Sequence, residues 1–181
     1  MEGDERLRLF CALLLPSETV DRLVAWQAHE LSPAADALRI VPRGNLHVTL
    51  AFLGSTGSAQ LQPIGAALRL ACAGEDPPLL AALRYRETRS VGMIELSDEG
   101  GRAGSLAARL WDGLEHLGVY RREARPWRPH VTVARFHNRP RLSTSAPDLA
   151  GVVPSDAAVM ISRLRPSGAQ YEVFESVSLG G

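Results

Sequence analysis

The sequence predicts an α+β fold with antiparallel sheets, organised as two related lobes. Roughly eight segments have the apolar or alternating pattern of β-strands, and roughly three have helical periodicity. These segments do not alternate strictly, as strands and helices would in a doubly wound parallel sheet. The peptide LHVTL at residues 46–50 also recurs as PHVTV at residues 129–133, and its two histidines are 83 positions apart in a chain of 181 residues. A repeat displaced by almost half the chain indicates a pseudo-twofold duplication.

The N-terminal half is expected to contain three strands and two helices. Apolar or alternating runs predict extended segments at residues 7–15, 38–41 and 46–53. Ser17 and Ser58 are suitable N-caps for two helices, which apolar spacing carries to about Leu31 and Cys72. Pro63 lies in the first turn of the second helix, where proline is tolerated. Residues 54–57 are expected to form a loop.

The C-terminal half is expected to contain five strands and one helix. The strand patterns cover residues 79–86, 90–96, 130–136, 157–164 and 171–179. A glycine-rich loop at residues 97–104 precedes a helix over 105–117, which Gly118 terminates. Residues 138–154 contain three prolines and are expected to form an irregular excursion with at most a short helix.

The composition is that of an ordinary folded globular protein, because 45% of the residues are hydrophobic and 22% are charged. A chain of this length suits a single two-lobed domain over residues 1–181. The formal net charge is zero, so no whole-molecule field attracts nucleic acid or membranes. All 20 basic residues are arginines, and the guanidinium group is suited to bidentate recognition of phosphate.

The cysteines and the N-terminal region favour a cytoplasmic protein. Cys11 and Cys72 match no metal-ligand spacing, so we expect two free, buried thiols in a reducing compartment. The apolar run at residues 9–15 is too short to span a bilayer, and the acidic residues before it are unlike a secretory signal. We therefore expect a cytoplasmic protein that makes no membrane association, and we also expect it to be a monomer.

Each copy of the repeat places a histidine and a threonine on one face of a strand. Side chains two residues apart project from the same face, so His47 lies beside Thr49, and His130 lies beside Thr132. Two such strands at a cleft would bring two imidazoles and two hydroxyls around one point. One histidine could take a proton from an attacking water while the other gives a proton to a leaving oxygen, as phosphoryl transfer requires. The threonines would donate to phosphate oxygens, and the scheme needs no metal or cofactor.

A single His-x-Thr strand is weak evidence, since a lone histidine on a half-apolar strand is usually a structural residue. Two copies in matching contexts, half a chain apart, favour catalysis. The remaining histidines are interpreted as structural. His29 and His116 fall in the last turns of predicted helices, where a cation is favoured, and His137 follows the second strand.

An arginine-rich segment surrounds the second copy of the repeat. Its basic residues are Arg121, Arg122, Arg125, Arg128, Arg135, Arg139 and Arg141, against the single acid Glu123. Most of them fit a solvated basic face, and as a patch they could hold an RNA backbone through its phosphates. Arg135 has the opposite strand parity from His130 and Thr132, so only a twist, a bulge or a strand end would bring it to the phosphate. The aromatic candidates for stacking on an exposed base are Trp127, Phe136 and Tyr171, each of which is more often a core residue.

Four segments, taken in order, carry a resemblance that spans nearly the whole chain. They are RLFCAL at residues 8–13, NLHVTLAFLG at 45–54, RPWRPHVTVAR at 125–135 and SRLRPSGAQY at 162–171. In these segments the chain resembles the two-histidine phosphoesterases. Within that superfamily it is similar to the bacterial and archaeal RNA 2′,3′-cyclic phosphodiesterases, also called 2′-5′ RNA ligases.

The resemblance implies a bilobal α+β fold in which two antiparallel sheets with outer helices face each other across a cleft. It implies the following site residues: His47 and His130 as catalytic groups, with Thr49, Thr132, Arg135 and Tyr171 binding the substrate. The implied reaction is hydrolysis of a terminal 2′,3′-cyclic phosphate on RNA to a 2′-phosphate, with slow 2′-5′ ligation as a relative. By the same analogy His47 protonates the departing 3′ oxygen and His130 activates water. Ends of RNA such as tRNA fragments are the implied partners, and residues 138–154 are where substrate preference would differ.

Two other functions stay open at this point. An enzyme of the same superfamily could act on a small cyclic phosphate such as an ADP-ribose derivative, and only a comparison of substrates separates it from an RNA enzyme. A nucleotide- or RNA-binding module without turnover is the second alternative, although binding alone does not need paired proton carriers. An ATP-dependent ligase is disfavoured, because the chain has no Gly-x-x-x-x-Gly-Lys loop and no lysine for adenylylation.

Overall fold

The structure, a computed structural model, describes residues 5–180. Its strands are β1 (Arg6–Leu14), β2 (Arg39–Ile40), β3 (His47–Gly57), β4 (Leu79–Glu87), β5 (Val91–Glu99), β6 (His130–Arg135), β7 (Asp156–Arg165) and β8 (Gly168–Ser178). Its α-helices are α1 (Ser17–Trp26), α2 (Leu61–Cys72) and α3 (Arg102–His116). A π-helical turn (Gln27–Leu31) extends α1, and 3₁₀ turns occupy Ser32–Ala34, Arg43–Asn45 and Ser58–Gln60. None of the helices within residues 5–180 combines the length and apolar character needed to cross a membrane.

The strands form one antiparallel sheet with a narrow seam. Their order is β4-β5-β6-β3-β1-β7-β8, and β2 pairs with β6. Long ladders hold β4, β5 and β6 together on one side, and β3, β1, β7 and β8 together on the other. Between these halves, β3 and β6 pair only at Val48 and Val131. The α+β class is confirmed, and the two expected sheets are the two halves of one sheet, joined between the histidine-bearing strands.

The two faces of the sheet have different roles. On β1, Leu9, Cys11 and Leu13 are fully buried in the main core, which also contains apolar residues of all three helices. The alternate residues of β1, Phe10 and Ala12, belong to a second, small apolar cluster on the opposite face. The helices therefore cover one face, and the other face is left for the histidines.

Several predicted boundaries differ by a few residues, and at two of them a partner outside the expected element extends it. The residues at 54–57, expected to be a loop, continue β3 because they pair with the start of β1. Helix α3 begins at Arg102, earlier than the expected start at Ser105. The reason is Asp98, whose carboxylate accepts the backbone N–H groups of Ala103 and Gly104 at 3.0 and 2.8 Å and so caps the helix.

Residues 138–154 form the expected irregular excursion, and they lie along the edge strand β4. Val152 pairs with Leu80, and the Leu149 carbonyl accepts the Ala82 N–H at 2.8 Å. The buried carboxylate of Glu87 accepts two further N–H groups of the segment, at residues 141 and 142. The excursion thereby covers part of an edge that would otherwise offer unpaired backbone groups.

Candidate active site

His47 begins β3, and two hydrogen bonds hold its ring. Nδ1 donates to the Asn45 carbonyl oxygen at 2.8 Å, and Nε2 lies 3.0 Å from Thr49 Oγ1. A carbonyl can only accept, so Nδ1 carries the hydrogen of the neutral ring and Nε2 is the acceptor. The Thr49 hydroxyl then donates to Nε2. The local backbone therefore decides which nitrogen is turned toward the site.

His130 begins β6 and repeats this arrangement. Its Nδ1 donates to the Arg128 carbonyl oxygen at 2.9 Å, and Arg128 precedes His130 by two residues, as Asn45 precedes His47. Thr132 lies two residues farther along on the same face. The tautomer with an unprotonated Nε2 is favoured at both histidines, because each ring is anchored through Nδ1.

The register of the sheet brings the two His-x-Thr pairs together. Val48 pairs with Val131, and extending this register by one residue sets His47 across from Thr132 and Thr49 across from His130. Residues at the resulting diagonal positions have Cβ atoms about 7–8 Å apart, which leaves room for a phosphate group between the two imidazoles.

Burial controls the proton on His47. Loss of hydration lowers the pKa of His47 from 6.5 to about 4, partly offset by the bond to the Asn45 carbonyl, and the charges of His130 and Arg135 act in the same direction as burial. The ring centroid lies 4.9 Å from that of Phe10. His47 is therefore neutral at pH 7 in the ligand-free protein.

Tyr171 forms the wall of the site next to the first histidine. Its ring lies 5.4 Å from the His47 ring and 4.8 Å from the Phe10 ring, edge-on to both. It is held there by β8, where it pairs with Ser162 of β7. Tyr171 thus lies beside the first histidine, and its contact with the substrate stays a prediction.

A β-bulge in β6 brings Arg135 to the site. The register with β5 shifts by one between Thr132 and Ala134, so Val133 is an extra residue. Val133 and Ala134 are both fully buried, and Arg135 therefore returns to the face that carries His130. Arg135 is consequently close enough to the first histidine for its positive charge to contribute to lowering the pKa of His47. The bulge supplies the change of parity that the sequence argument required.

The same bulge occurs in β3, with a different result. The register with β1 shifts between Thr49 and Ala51, so Leu50 is the extra residue and both Leu50 and Ala51 are buried. Phe52 is left 51% exposed, with the Arg8 guanidinium 4.8 Å from its ring centroid. The pseudo-twofold repeat therefore has an aromatic ring in one half where the other half has its arginine.

Two tryptophans stabilise the bulge in β3. The indole N–H of Trp111 donates to the Leu50 carbonyl at 2.9 Å. The indole N–H of Trp127 donates to the Thr49 carbonyl at 3.2 Å. These bonds satisfy backbone groups that the bulge withdraws from regular pairing. Trp127, a stacking candidate in the sequence, therefore has a structural role beside the site.

A buried amide has the corresponding role in β6. Gln27, at the start of the π-helical turn, donates through Nε2 to the carbonyls of Val133 and Val41 at 2.9 and 3.0 Å. Its side chain is almost fully buried. A π turn within a helix often marks a site of functional constraint, and here it directs an amide at the bulge.

The other aromatic and basic candidates are distributed differently from the expectation. Phe136 is buried in the core, so Tyr171 is the stacking candidate that lies at the site. Three of the seven arginines are bound to carboxylates: Arg122 to Asp112 and Glu115, Arg125 to Glu123, and Arg139 to Glu87. The arginine-rich segment is therefore not one free basic patch, and the members next to His130 are Arg128 and Arg135.

Three residues that hold the site together, Asn45, Gln27 and Glu95, were not among those predicted from the sequence. The Asn45 amide donates to the Ala169 carbonyl at 2.8 Å and ties the start of β8 to the first histidine. Glu95 lies directly opposite His130 in the ladder and is buried. Asn45 could have been found from the sequence, because it precedes His47 by two residues just as Arg128 precedes His130. Gln27 and Glu95 left no such signal, because their relation to the site depends on tertiary contacts.

The site therefore offers two imidazoles, two hydroxyls and a guanidinium around a space that a phosphate could occupy. The imidazoles can transfer protons at the attacking and leaving oxygens of a phosphate ester, and the other groups can donate hydrogen bonds to its remaining oxygens. Across residues 5–180, no group of three or more His, Cys, Asp or Glu side chains is arranged to hold a metal ion.

Comparisons with known proteins agree with this geometry. The family described as LigT like Phosphoesterase matches residues 13–84. An RNA 2′,3′-cyclic phosphodiesterase of Thermus thermophilus is 31% identical over 198 residues, which covers 97% of this chain and 91% of the relative. A protein of the same name from Escherichia coli is 31% identical over 132 residues, which covers 72% of this chain and 73% of the relative.

Solved structures share the fold over nearly the whole chain. The crystal structure of TT0787 of Thermus thermophilus superposes with a TM-score of 0.80 at 32% identity, covering 97% of this chain and 99% of that one. Escherichia coli LigT complexed with 3′-AMP gives a TM-score of 0.79 at 24% identity, covering 98% and 100%. By its 31% identity to the Thermus relative over 97% of its length, the chain belongs to the LigT-like phosphoesterases of the two-histidine superfamily.

Proposed function

We propose that this protein is an RNA 2′,3′-cyclic phosphodiesterase, which hydrolyses a terminal cyclic phosphate to a 2′-phosphate. The observation that carries the proposal is the pairing of two His-x-Thr strands at Val48 and Val131, with each imidazole anchored through Nδ1 to a backbone carbonyl. The names of the Thermus and Escherichia relatives support the substrate class.

In the proposed reaction, water attacks phosphorus and the bond from phosphorus to the 3′ oxygen breaks. One imidazole takes a proton from the water, and the other gives a proton to the 3′ oxygen, so the product has a 2′-phosphate and a free 3′ hydroxyl. Thr49, Thr132 and Arg135 stabilise the charge on the non-bridging oxygens. The Thr49 hydroxyl, which donates to His47 Nε2 in the ligand-free protein, turns to a phosphate oxygen as the substrate enters.

The division of labour follows the resemblance, with His47 as the acid and His130 as the base. The structure adds a condition to this division. His47 is neutral in the ligand-free protein because burial lowers its pKa to about 4. To act as the acid it has to gain a proton as the substrate binds, and the negative phosphate favours that gain because an opposite charge stabilises the imidazolium.

The experiment uses a short RNA ending in a 2′,3′-cyclic phosphate, incubated with EDTA, and separates products by the position of the terminal phosphate. The wild-type protein should accumulate the 2′-phosphate, since no step needs a metal. His47→Ala and His130→Ala should each lower turnover by about 100- to 10,000-fold. Comparable activity in either variant would contradict the mechanism, and loss of activity in EDTA that a divalent ion restores would contradict metal independence.

A second substrate in the same experiment assigns the roles. Sulfur in place of the bridging 3′ oxygen leaves as a thiolate and needs little help from an acid. This substrate should restore much of the lost activity to His47→Ala and little to His130→Ala. Restoration of His130→Ala alone would reverse the assignment.

We further propose that residues 1–181 act in the cytoplasm as a monomeric, two-lobed unit on RNA ends such as those of tRNA fragments, with slow 2′-5′ ligation as a side reaction. Both histidines come from one chain, so the site needs no second subunit. Cys11 and Cys72 are free and buried, as is usual in a reducing compartment. Light scattering on the purified protein tests the monomer, and a dimer whose dissociation abolishes activity would overturn it.

A further inference from the structure

Three charged side chains lie on the site face beyond the second histidine. Glu95 of β5 is directly opposite His130 in the ladder, and Arg84 of β4 is directly opposite Glu95. Directly opposite residues project from the same face, and Arg86, two residues along β4, has the same orientation as Arg84. The two arginines therefore share the face of the catalytic histidines, and Glu95 lies between them and His130.

One carboxylate holds both arginines. Arg84 Nε donates to Glu95 Oε2 at 2.6 Å, and Arg86 Nη1 donates to Glu95 Oε1 at 2.8 Å. The Glu95 side chain is 6% exposed, whereas those of Arg84 and Arg86 are 60% and 49% exposed. Burial alone would raise the pKa of Glu95, but the bonds from the two arginines outweigh it and hold the pKa below its ordinary value. Glu95 is therefore ionised, and it balances only one of the two guanidinium charges.

The surroundings of this pair are concave and basic. One cavity is lined by Leu83, Arg84, Glu95, Leu96, Arg128 and Pro129. A second is lined by Arg84, Tyr85, Arg86, Glu87, Arg139 and Leu142. Together the two cavities form a strip of surface whose charged lining residues are four arginines and two glutamates. The strip is therefore positive, although the whole chain is neutral. It begins at Arg128, whose carbonyl anchors His130, and ends at the excursion.

The strip is too far from the reacting phosphate to serve it directly. That phosphate lies between β3 and β6, and β4 is two strands beyond β6, so the backbones of Arg84 and His130 are about 10 Å apart. An RNA substrate carries a further phosphate on the 5′ oxygen of its terminal ribose. A nucleoside 2′,3′-cyclic phosphate lacks it.

We propose that Arg84 and Arg86, held in position by Glu95, bind the phosphate on the 5′ side of the terminal nucleotide. This inference rests on the proposed function and adds a basis for selecting RNA ends over nucleoside cyclic phosphates. Guanidinium groups already fixed by a carboxylate lose little side-chain freedom when they bind. A backbone phosphate is also present whatever the RNA sequence. Such a site therefore distinguishes an RNA end from a single nucleoside, but it does not distinguish one base from another.

The test compares adenosine 2′,3′-cyclic phosphate, the same compound with a 5′-phosphate, and a dinucleotide ending in a 2′,3′-cyclic phosphate. The measured quantity is the ratio of kcat/KM with the 5′ phosphate to kcat/KM without it. The wild-type ratio should exceed one. Arg84→Gln and Arg86→Gln should each lower the ratio on the order of 10-fold, chiefly through KM, because each removes a charge-assisted hydrogen bond. Glu95→Gln should also lower it, since the arginines lose their anchor.

The matched control is Arg22→Gln. Arg22 lies on α1, on the covered face of the sheet, with a similarly exposed side chain (55%) and its own carboxylate partner, Glu18. This variant should keep the wild-type ratio, and thermal unfolding should show that every variant is folded. A wild-type ratio of one, or an unchanged ratio in both arginine variants, would overturn the inference while leaving the proposed function intact. Absence of wild-type turnover on all three substrates would overturn the proposed function and the inference together.

Discussion

At the scale of single residues, burial of the His47 ring makes the stability of the fold depend on pH. The pKa of His47 is about 4 in the folded chain and 6.5 for an exposed histidine. Between these values the unfolded chain binds a proton that the folded chain does not, so stability falls as pH falls from about 6.5 to about 4. A shift of this size corresponds to roughly 3 kcal/mol in the free energy of unfolding once the pH is below both values.

Replacing His47 by glutamine should remove this dependence, because glutamine does not titrate. The free energy of unfolding in urea should drop more for the wild-type protein than for His47→Gln when the pH is lowered from 7 to 4.5. The difference between the two drops isolates His47 from the other titrating groups. Equal drops would show that the His47 ring is well hydrated in solution.

Single residues also explain why the two copies of the repeat are not equivalent. The bulge in β3 exposes Phe52, and the bulge in β6 exposes Arg135, at matching positions of the repeat. The two ends of the site therefore differ, because one has Arg135 and the other has Phe52 with the Arg8 guanidinium over its ring.

At the scale of elements, the bulges in β3 and β6 are stabilised from the covered face of the sheet. Each turns two consecutive residues into the core, and side-chain donors from other parts of the chain compensate for the altered backbone pairing. Trp111 and Trp127 do this for β3, and Gln27 does it for β6. The position of Arg135 consequently depends on a side chain more than 100 residues away in the chain.

Gln27→Leu tests this dependence. Loss of the buried amide should lower the free energy of unfolding by about 1–3 kcal/mol, because carbonyl groups lose a partner. The KM for the cyclic phosphate should rise, since Arg135 loses its support. Gln62→Leu, at an exposed position of α2, is the control and should stay within about 0.5 kcal/mol of wild type. A Gln27 variant that matches this control in both measurements would contradict the role assigned to the amide.

At the scale of the whole molecule, the site depends on how two well-paired halves meet. Within each half the ladders are long, but the halves share a single paired position, Val48 with Val131. Both valines are buried in the main core beneath the histidines. The distance between the imidazoles is therefore set at the weakest-paired part of the sheet.

Val131→Ala should lower kcat beyond what its effect on stability explains. Truncating a fully buried valine costs about 1–3 kcal/mol anywhere in the core, but at the seam it also lets the halves shift relative to each other. Val159→Ala, in the middle of β7 and equally buried, is the matched control. The two variants should unfold at similar denaturant concentrations, and Val131→Ala alone should lose turnover. Equal turnover in both would show that the seam is not sensitive to packing.

Much of the fold and the central part of the site could be predicted from the sequence. Strand periodicity placed His47 beside Thr49 and His130 beside Thr132, and it found the strands and helices with small errors at their ends. Those errors arose where hydrogen bonds to residues outside the periodic segment decided the boundary, as the start of β1 does for β3 and Asp98 does for α3. The sequence could not show every pairing within the arginine-rich segment, because Arg139 binds Glu87, which is 52 residues away in the chain.

The sequence by itself determined that two His-x-Thr pairs face away from a core, because side-chain direction within a strand follows from a backbone period of two. The resemblance implied Arg135, but only the tertiary structure shows how it reaches their face, that Glu95 lies opposite His130, and that Arg84 and Arg86 extend the same face. These relations depend on register between strands, and a register shift of one residue turns a side chain to the other face. Register in turn is set by bulges and by buried donors that local sequence does not reveal.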